Sequence, residues 1–181
     1  MEAKKFVPYY KVSDWENWEG DWELIEGIAF AMSPSPVFKH QKTSRKITVL
    51  LDSQLIDCPF CELIYEFDWM ISPDTIVRPD LMVVCGDKSD MEKLKRLASR
   101  PELIVEVLSE STERKDRDIK LALYEHEGVP TVILVDPENK VIEVYEIKTG
   151  VYSLLYKGEG ETLPHQIKDC MLTPDWGMIW K

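Results

Sequence analysis

The chain predicts a mixed α/β (α+β) fold in which a central β-sheet is flanked by helices. Three observations carry that expectation. Short, β-branched and nearly continuous apolar runs, such as Leu103-Ile104-Val105-Glu106-Val107-Leu108, have the pattern of strands buried on both faces. Two longer stretches, at 37–56 and 112–127, keep helical spacing. Repeats, low-complexity segments and a linker composition are all missing from the 181 residues, a length that predicts one domain with a sizeable core.

Taken in order, the segment from Val12 to Glu19 predicts a short aromatic helix or turn. Trp22 to Met32 follows as a strand pair with Gly27 at its turn. Ser33-Pro34-Ser35-Pro36 is a rigid connector that fits neither a helix nor a central strand. The helix at 37–56 aligns Ile47, Leu50, Leu51 and Leu55 near one face. Leu63 to Ile71 is expected as one strand, and Val77 to Cys85 as a second that contains Asp80. Ser89-Asp90-Met91-Glu92 has the spacing of a capping box for a short helix that Pro101 ends. The helix at 112–127 has Ser109, Ser111 and Thr112 as candidate caps and Gly128 as its stop. A buried strand, Thr131-Val132-Ile133-Leu134-Val135, then leads into a meander, and a tail with Trp176 and Trp180 docks at an edge. The six tryptophans are expected to cap the core or to serve a dimer interface.

Composition narrows the function classes. With 22 basic and 33 acidic residues the net charge is −11, unlike a protein that grips DNA along a broad electrostatic footprint. Seven acids face three lysines between residues 2 and 26. Basic residues gather at Lys39, Lys42, Arg45 and Lys46, at Lys93, Lys95, Arg96 and Arg100, and at Arg114, Lys115, Arg117 and Lys120. The chain shows neither a secretory leader pattern at its first residues nor an apolar stretch that would span a bilayer, so a cytoplasmic protein with no membrane partner is expected. In that compartment Cys58, Cys61, Cys85 and Cys170 are expected as thiols, and the Cys58-Pro59-Phe60-Cys61 spacing lacks the second pair of a zinc site.

Asp80 and Glu106 stand out because each interrupts an apolar run. An ionised carboxylate buried alone costs several kcal/mol or more, so such a group must be paired, protonated or bound to a metal. Side chains alternate along a strand, so Glu106 shares a face with Ile104 and Leu108, and Asp80 with Arg78 and Met82. On neighbouring strands the two acids can converge on one divalent cation. Hard oxygen donors of this kind suit Mg2+, with Mn2+ as its substitute. Downstream, Asp116, Lys120 and Tyr124 are spaced by four and stack on one helix face, with Ile119, Ala122 and Leu123 as the expected buried stripe and Lys120 at its border. From there the ammonium reaches the rim of the sheet, where it can orient or deprotonate a water or offset charge on phosphorus. Two acids and a lysine so arranged predict a metal-dependent phosphodiesterase.

These residues also carry a resemblance. Pro79-Asp80 followed by Glu106 resembles the PD-(D/E)xK nuclease signature of the restriction-endonuclease-like fold, except that Leu108 stands where its lysine is expected. The ordered set Pro79-Asp80-Leu81, Glu106-Val107-Leu108-Ser109, Asp116 through Lys120 to Tyr124, Gly128-Val129 and Val135-Asp136-Pro137 resembles the Uma-type family of restriction endonucleases. So do Glu23-Leu24-Ile25-Glu26-Gly27 and the stretch from Ser33 to His40-Gln41, and the resemblance covers roughly residues 20 to 157. It implies a lysine moved from the strand to the next helix, which nominates Lys120.

The resulting expectation is an endonuclease that hydrolyses DNA phosphodiester bonds. Asp80, Glu106 and the Val107 carbonyl would bind Mg2+, and Lys120 would position the nucleophile. Glu23, His40, Asp116 and Tyr124 support the site, and DNA and a second copy of the chain are the expected partners. Two rival readings use the same residues. A catalytically silent binding module would pair both Asp80 and Glu106 with Lys120, and a small-molecule phosphohydrolase would enclose its site in a pocket.

Overall fold

The computed structural model describes residues 7–32 and 37–181, so the connector expected at Ser33-Pro34-Ser35-Pro36 lies outside the described residues. In chain order the elements are α1 (Val12–Trp15), β1 (Trp22–Ile25), β2 (Ile28–Ala31), α2 (Phe38–Leu55), β3 (Cys61–Tyr65), β4 (Trp69–Ser72), β5 (Thr75–Val77), β6 (Leu81–Cys85), α3 (Lys88–Met91) and β7 (Leu103–Val107). A π-helical segment (Lys115–Lys120) then runs into α4 (Leu121–His126). It is followed by β8 (Thr131–Asp136), β9 (Val141–Lys148), β10 (Val151–Gly158), β11 (His165–Ile167), β12 (Cys170–Leu172) and a 3-10 turn at Trp176–Trp180.

The strands form a six-stranded sheet in the order β10-β9-β8-β7-β6-β3 and a four-stranded sheet in the order β2-β1-β5-β4, with β11 and β12 as a separate hairpin. The large sheet is antiparallel except between β7 and β8. A parallel pair needs a crossover, and the helix containing Lys120 supplies it. Its role in the topology is therefore to leave the end of β7, beside Glu106, and return to the start of β8.

Alternation along the central strands divides the core in two. Val105, Val107, Ile133 and Val135 face Ile47, Leu51 and Leu55 of α2. Ile104, Val132 and Leu134 face the opposite side, against Tyr124 and Trp69. Glu106 has the parity of Ile104, so it points into the second layer, as the strand period requires.

Two expected strands are each broken, and the breaks stand side by side. The 63–71 stretch divides into β3 and β4 around Glu66, which adopts a left-handed backbone with φ of 47°. The 77–85 stretch divides into β5 and β6 at Arg78-Pro79-Asp80, where Pro79 has no N–H to offer a ladder. The Glu66 N–H donates to the Asp80 carbonyl at 3.0 Å. There the chain leaves one sheet for the other, so Asp80 is half-buried at a joint and not inside a buried strand. Helix α3 is capped by Asp87, whose carboxylate accepts from the Ser89 N–H, two residues earlier than the expected capping box.

The cysteines differ from expectation. Cys61 lies directly across from Cys85 in the β3–β6 register and the two form a disulfide, while Cys58, in the turn leading to β3, is bridged to Cys170 of β12. Sequence distance hid both pairs, because sheet register and the docking of the β11–β12 hairpin create the proximity. The tryptophans behave largely as core and cap. Trp69 and Trp176 are buried, and Trp18 meets Tyr10 and Trp22 edge-on over the small sheet.

Beside Trp176 lies a buried histidine. The Trp176 indole N–H donates to His165 Nε2 at 3.0 Å, which puts the imidazole proton on Nδ1, an atom with no partner among the described residues. Burial pulls the His165 pKa down to about 4.

Two predictions follow from these features. The Cys58–Cys170 bridge closes a separation of 112 residues, so its removal by reductant or Cys170→Ser should destabilise the oxidised protein by roughly 2–4 kcal/mol in thermal melts. An unchanged melt with all four thiols titratable in the untreated protein would refute the pairing. Because His165 titrates near 4 when folded and near its ordinary 6.5 when unfolded, its neutral form contributes stability above pH 6.5 that is lost as pH falls toward 4. The stability difference between His165→Gln and wild type, followed by urea denaturation, should therefore move in favour of the variant by a few kcal/mol across that window.

Candidate active site

The joint between the sheets ties the two acids together through reciprocal backbone contacts. Asp80 Oδ2 accepts the Val107 N–H at 2.7 Å, and Glu106 Oε2 faces the Asp80 N–H at 3.4 Å. The pairing Leu81↔Val105 sets this up, since extending that antiparallel ladder by one residue brings Asp80 opposite Glu106. His40, one turn into α2, reaches the same Asp80 Oδ2 with Nε2 at 3.2 Å. Although expected on a polar helix start, His40 is buried; burial alone would lower its pKa, but the Asp80 carboxylate outweighs that and raises it.

Behind the acids lies the lysine. Lys120 Nζ stands 2.7 Å from Glu106 Oε1, 3.0 Å from Glu23 Oε1 and 3.8 Å from Asp116 Oδ1, and donates a long bond to the Arg78 carbonyl at 3.5 Å. The Tyr124 hydroxyl donates to Glu106 Oε1 at 2.6 Å. The expected apolar stripe of this helix is corrected. Asp116, Lys120 and Tyr124 are the buried face, Ala122 is exposed, and Lys120 sits at the centre of that face. Glu106 and Glu23 supply buried countercharge, which makes the charged side of the helix its inward side.

The π turn adds a partner that sequence reasoning missed. In an α-helix Lys115 and Lys120 would diverge by well over a quarter turn, whereas wider π geometry aligns residues five apart. Lys115 accordingly reaches Glu23 Oε2 while Lys120 holds Oε1. The Arg78 N–H also donates to Glu23, at 2.9 Å. Nothing in residue type announces a π turn; the only signal was the presence of Lys115 in the basic cluster before the helix.

The electrostatics follow from this packing. Burial would raise Glu23, but Lys120 and Lys115 outweigh it and hold the pKa down at about 2. Glu106 goes the other way. Burial pushes it up, Lys120 pulls it down, and the carboxylates of Asp116, Asp80 and Glu23 add to burial, leaving it near 8. Asp116 is likewise raised by burial. Burial opposes the charge of Lys120, but Glu106 and Glu23 outweigh it and hold the ammonium protonated well above its usual range.

Asp80 and His40 open onto a cleft of about 960 Å3, whose lining includes Phe38, Arg78, Lys115 and the Ser109–Thr112 turn. A smaller recess of about 80 Å3, lined by Gln41, Ser44, Thr48 and Tyr65, adjoins it and shares Glu66 and Asp80. Four carboxylates (Glu23, Asp80, Glu106, Asp116) surround two lysines, so the cluster carries excess negative charge and its donors are hard oxygens. Among the described residues no three His, Cys, Asp or Glu side chains form a metal-holding group. A small dication would therefore rest on two carboxylates and complete its shell with carbonyl, water or phosphate oxygen, a donor set that fits Mg2+. Among the described residues no helix is long and apolar enough to cross a membrane.

A mixed sheet whose central strand presents an acid beside a second acid at a strand joint, backed by a lysine from the crossover helix, is the architecture of a nuclease-type fold. The chain belongs to the Uma2 family, described as putative restriction endonuclease, whose model matches residues 7–172. Among solved structures it is similar to a putative nuclease belonging to DUF820 from Anabaena variabilis, with a TM-score of 0.76 and 14% identity over 94% of this chain and 97% of that one. That likeness is one of fold. A search of curated proteins finds no match.

The buried cluster makes a stability prediction. Lys120→Met would leave Glu106 and Glu23 without their shared cation and should cost about 3–5 kcal/mol in urea denaturation, with part of that recovered in the Glu106→Gln/Lys120→Met double variant. Glu106 titrates higher when folded, near 8, than its ordinary 4.5, so its contribution is present below pH 4.5 and lost as pH rises through 8. The stability difference between Glu106→Gln and wild type should shift toward the variant over that range, and a flat difference curve would contradict the raised pKa.

Proposed function

We propose that this chain is a Mg2+-dependent endonuclease that hydrolyses DNA phosphodiester bonds. The observation that carries the reading is the convergence of Asp80 and Glu106 at the joint between the two sheets, where Asp80 lines the cleft, Glu106 is buried beside it and Lys120 lies behind them. Asp80, Glu106 and the Val107 carbonyl would hold the ion. When bound, Mg2+ supplies Lewis-acid charge to the phosphate oxygens and makes a nearby water more acidic.

The chain's own groups then have distinct parts. Tyr124 and the Asp80 N–H hold the Glu106 carboxylate by both oxygens. The Val107 N–H and His40 fix Asp80 through Oδ2. Lys120 stays protonated, so it orients a nucleophilic water or offsets charge on phosphorus as a donor and does not act as a base. Glu23, with Lys115, holds Lys120 in that position.

One feature favours this reading over a silent binding module. A silent module would engage both Asp80 and Glu106 with Lys120, whereas Lys120 pairs with Glu106 and Glu23, and Asp80 turns to His40 and Val107.

Nicking of supercoiled plasmid and cleavage of single-stranded DNA in Mg2+ or Mn2+ test the proposal. Wild type should cut, and Asp80→Asn, Glu106→Ala and Lys120→Ala, purified identically, should each lose activity by at least ~100-fold. Asp80→Asn is the most informative of the three, because its half-exposed site spares the core. Equal activity in all four proteins would trace the cutting to a contaminant and overturn the proposal.

A further inference from the structure

The cleft has an unusual balance of groups for a protein that meets DNA. Its three basic residues besides His40 are already engaged. Lys39 pairs with Glu138 at 2.8 Å, Arg78 with Asp21 at 2.7 Å and with Asp68 at 2.8 Å, and Lys115 with Glu23. The chain as a whole carries −11. Duplex binding draws much of its free energy from neutralising a run of backbone phosphates with free lysines and arginines. This cleft offers few such contacts.

It offers exposed aromatic faces in their place. Phe38, the first residue of α2, lines the cleft and is 83% exposed, and Tyr65, at the end of β3 in the smaller recess, is 65% exposed. A phenylalanine left so open packs little against the described residues. The two rings stand in different recesses, yet both recesses contain Asp80 and Glu66. An aromatic side chain is therefore available in each of the two recesses that share the acid that would engage the phosphate. Stacking adds binding free energy at each base whatever the base's identity, and it needs the base's face to be free, which base-paired DNA does not provide.

We infer that Phe38 and Tyr65 are stacking platforms that bracket Asp80 and select unpaired DNA, one base on each side of the phosphate held at the acids. This rests on the nuclease reading for the position of that phosphate, but the binding it describes is measurable without cleavage. Neighbouring groups fit the role. Gln41, Ser44 and Thr48 line the Tyr65 recess with neutral donors and acceptors, and Ser109 and Thr112 add theirs to the larger cleft beside the carboxylates of Asp21, Glu110 and Glu138.

The test is fluorescence anisotropy in Ca2+, which supports binding while suppressing hydrolysis, with three probes: a labelled oligothymidine, an abasic strand of equal length and a hairpin duplex. Wild type should bind oligothymidine at least about tenfold more tightly than either other probe. Phe38→Ala and Tyr65→Ala should each weaken oligothymidine binding by about tenfold and leave the abasic strand unaffected, while Phe38→Trp retains binding. Both side chains are exposed, so circular dichroism and melting should match wild type. Duplex bound as tightly as oligothymidine, alanine variants equal to wild type, or no binding to oligothymidine would each overturn the inference. If the plasmid assay succeeds while stacking fails, the nuclease reading stands without it. If Phe38-dependent binding appears but no metal elicits cutting, the nuclease reading fails and the binding surface stands.

Discussion

The ammonium of Lys120, held between Glu106 and Glu23, is the contact on which the rest of the site depends. A buried charge is tolerated only with compensation on every side, and here that compensation comes from three separate parts of the fold. Glu106 belongs to the large sheet, Glu23 to the small sheet, and Lys120 to the crossover helix. The same ion pairs that allow the lysine to be buried also fix how the two sheets meet. Asp80 lies at that meeting point because the chain passes from one sheet to the other through Arg78-Pro79-Asp80.

The cluster is also arranged against full neutralisation. Two lysines face four carboxylates, and the shortfall falls on Glu106 and Asp116, which burial raises, while Glu23 takes the benefit of both cations. Acids sharing one environment thus divide into a firmly ionised member, Glu23, and members whose carboxyls are pushed up, Glu106 and Asp116. Such division is common where a protein keeps a place for positive charge that is not its own.

Much of this was readable in the residues. Glu106 inside an aliphatic run announced a buried carboxylate, and the spacing of Asp116, Lys120 and Tyr124 put three polar groups on one helical face. What the residues did not reveal was direction. By apolar count the face of Ile119, Ala122 and Leu123 should turn inward; Ile119 and Leu123 do pack partly against the core, but Ala122 is exposed and the buried glutamates draw the Lys120 face fully inward. The breaks at Glu66 and at Pro79 were hidden because each lies in a run of strand-forming residues, and only the partnership across the sheets shows why both end there. Lys115 required a π turn, which leaves no compositional trace. The disulfides joined cysteines whose nearness depends on register and on hairpin docking.

The engagement of Glu23 by a lysine 92 positions later in the chain also bears on when the protein becomes what it is. As the polypeptide leaves the ribosome, β1 emerges early, and its glutamate waits through the synthesis of the joint, of β7 and of the crossover helix. Contacts so distant in sequence form late and together, since each requires the loop between them to close first. A half-made chain thus holds its acids apart from its lysine, and the buried cluster comes into being only with the finished architecture.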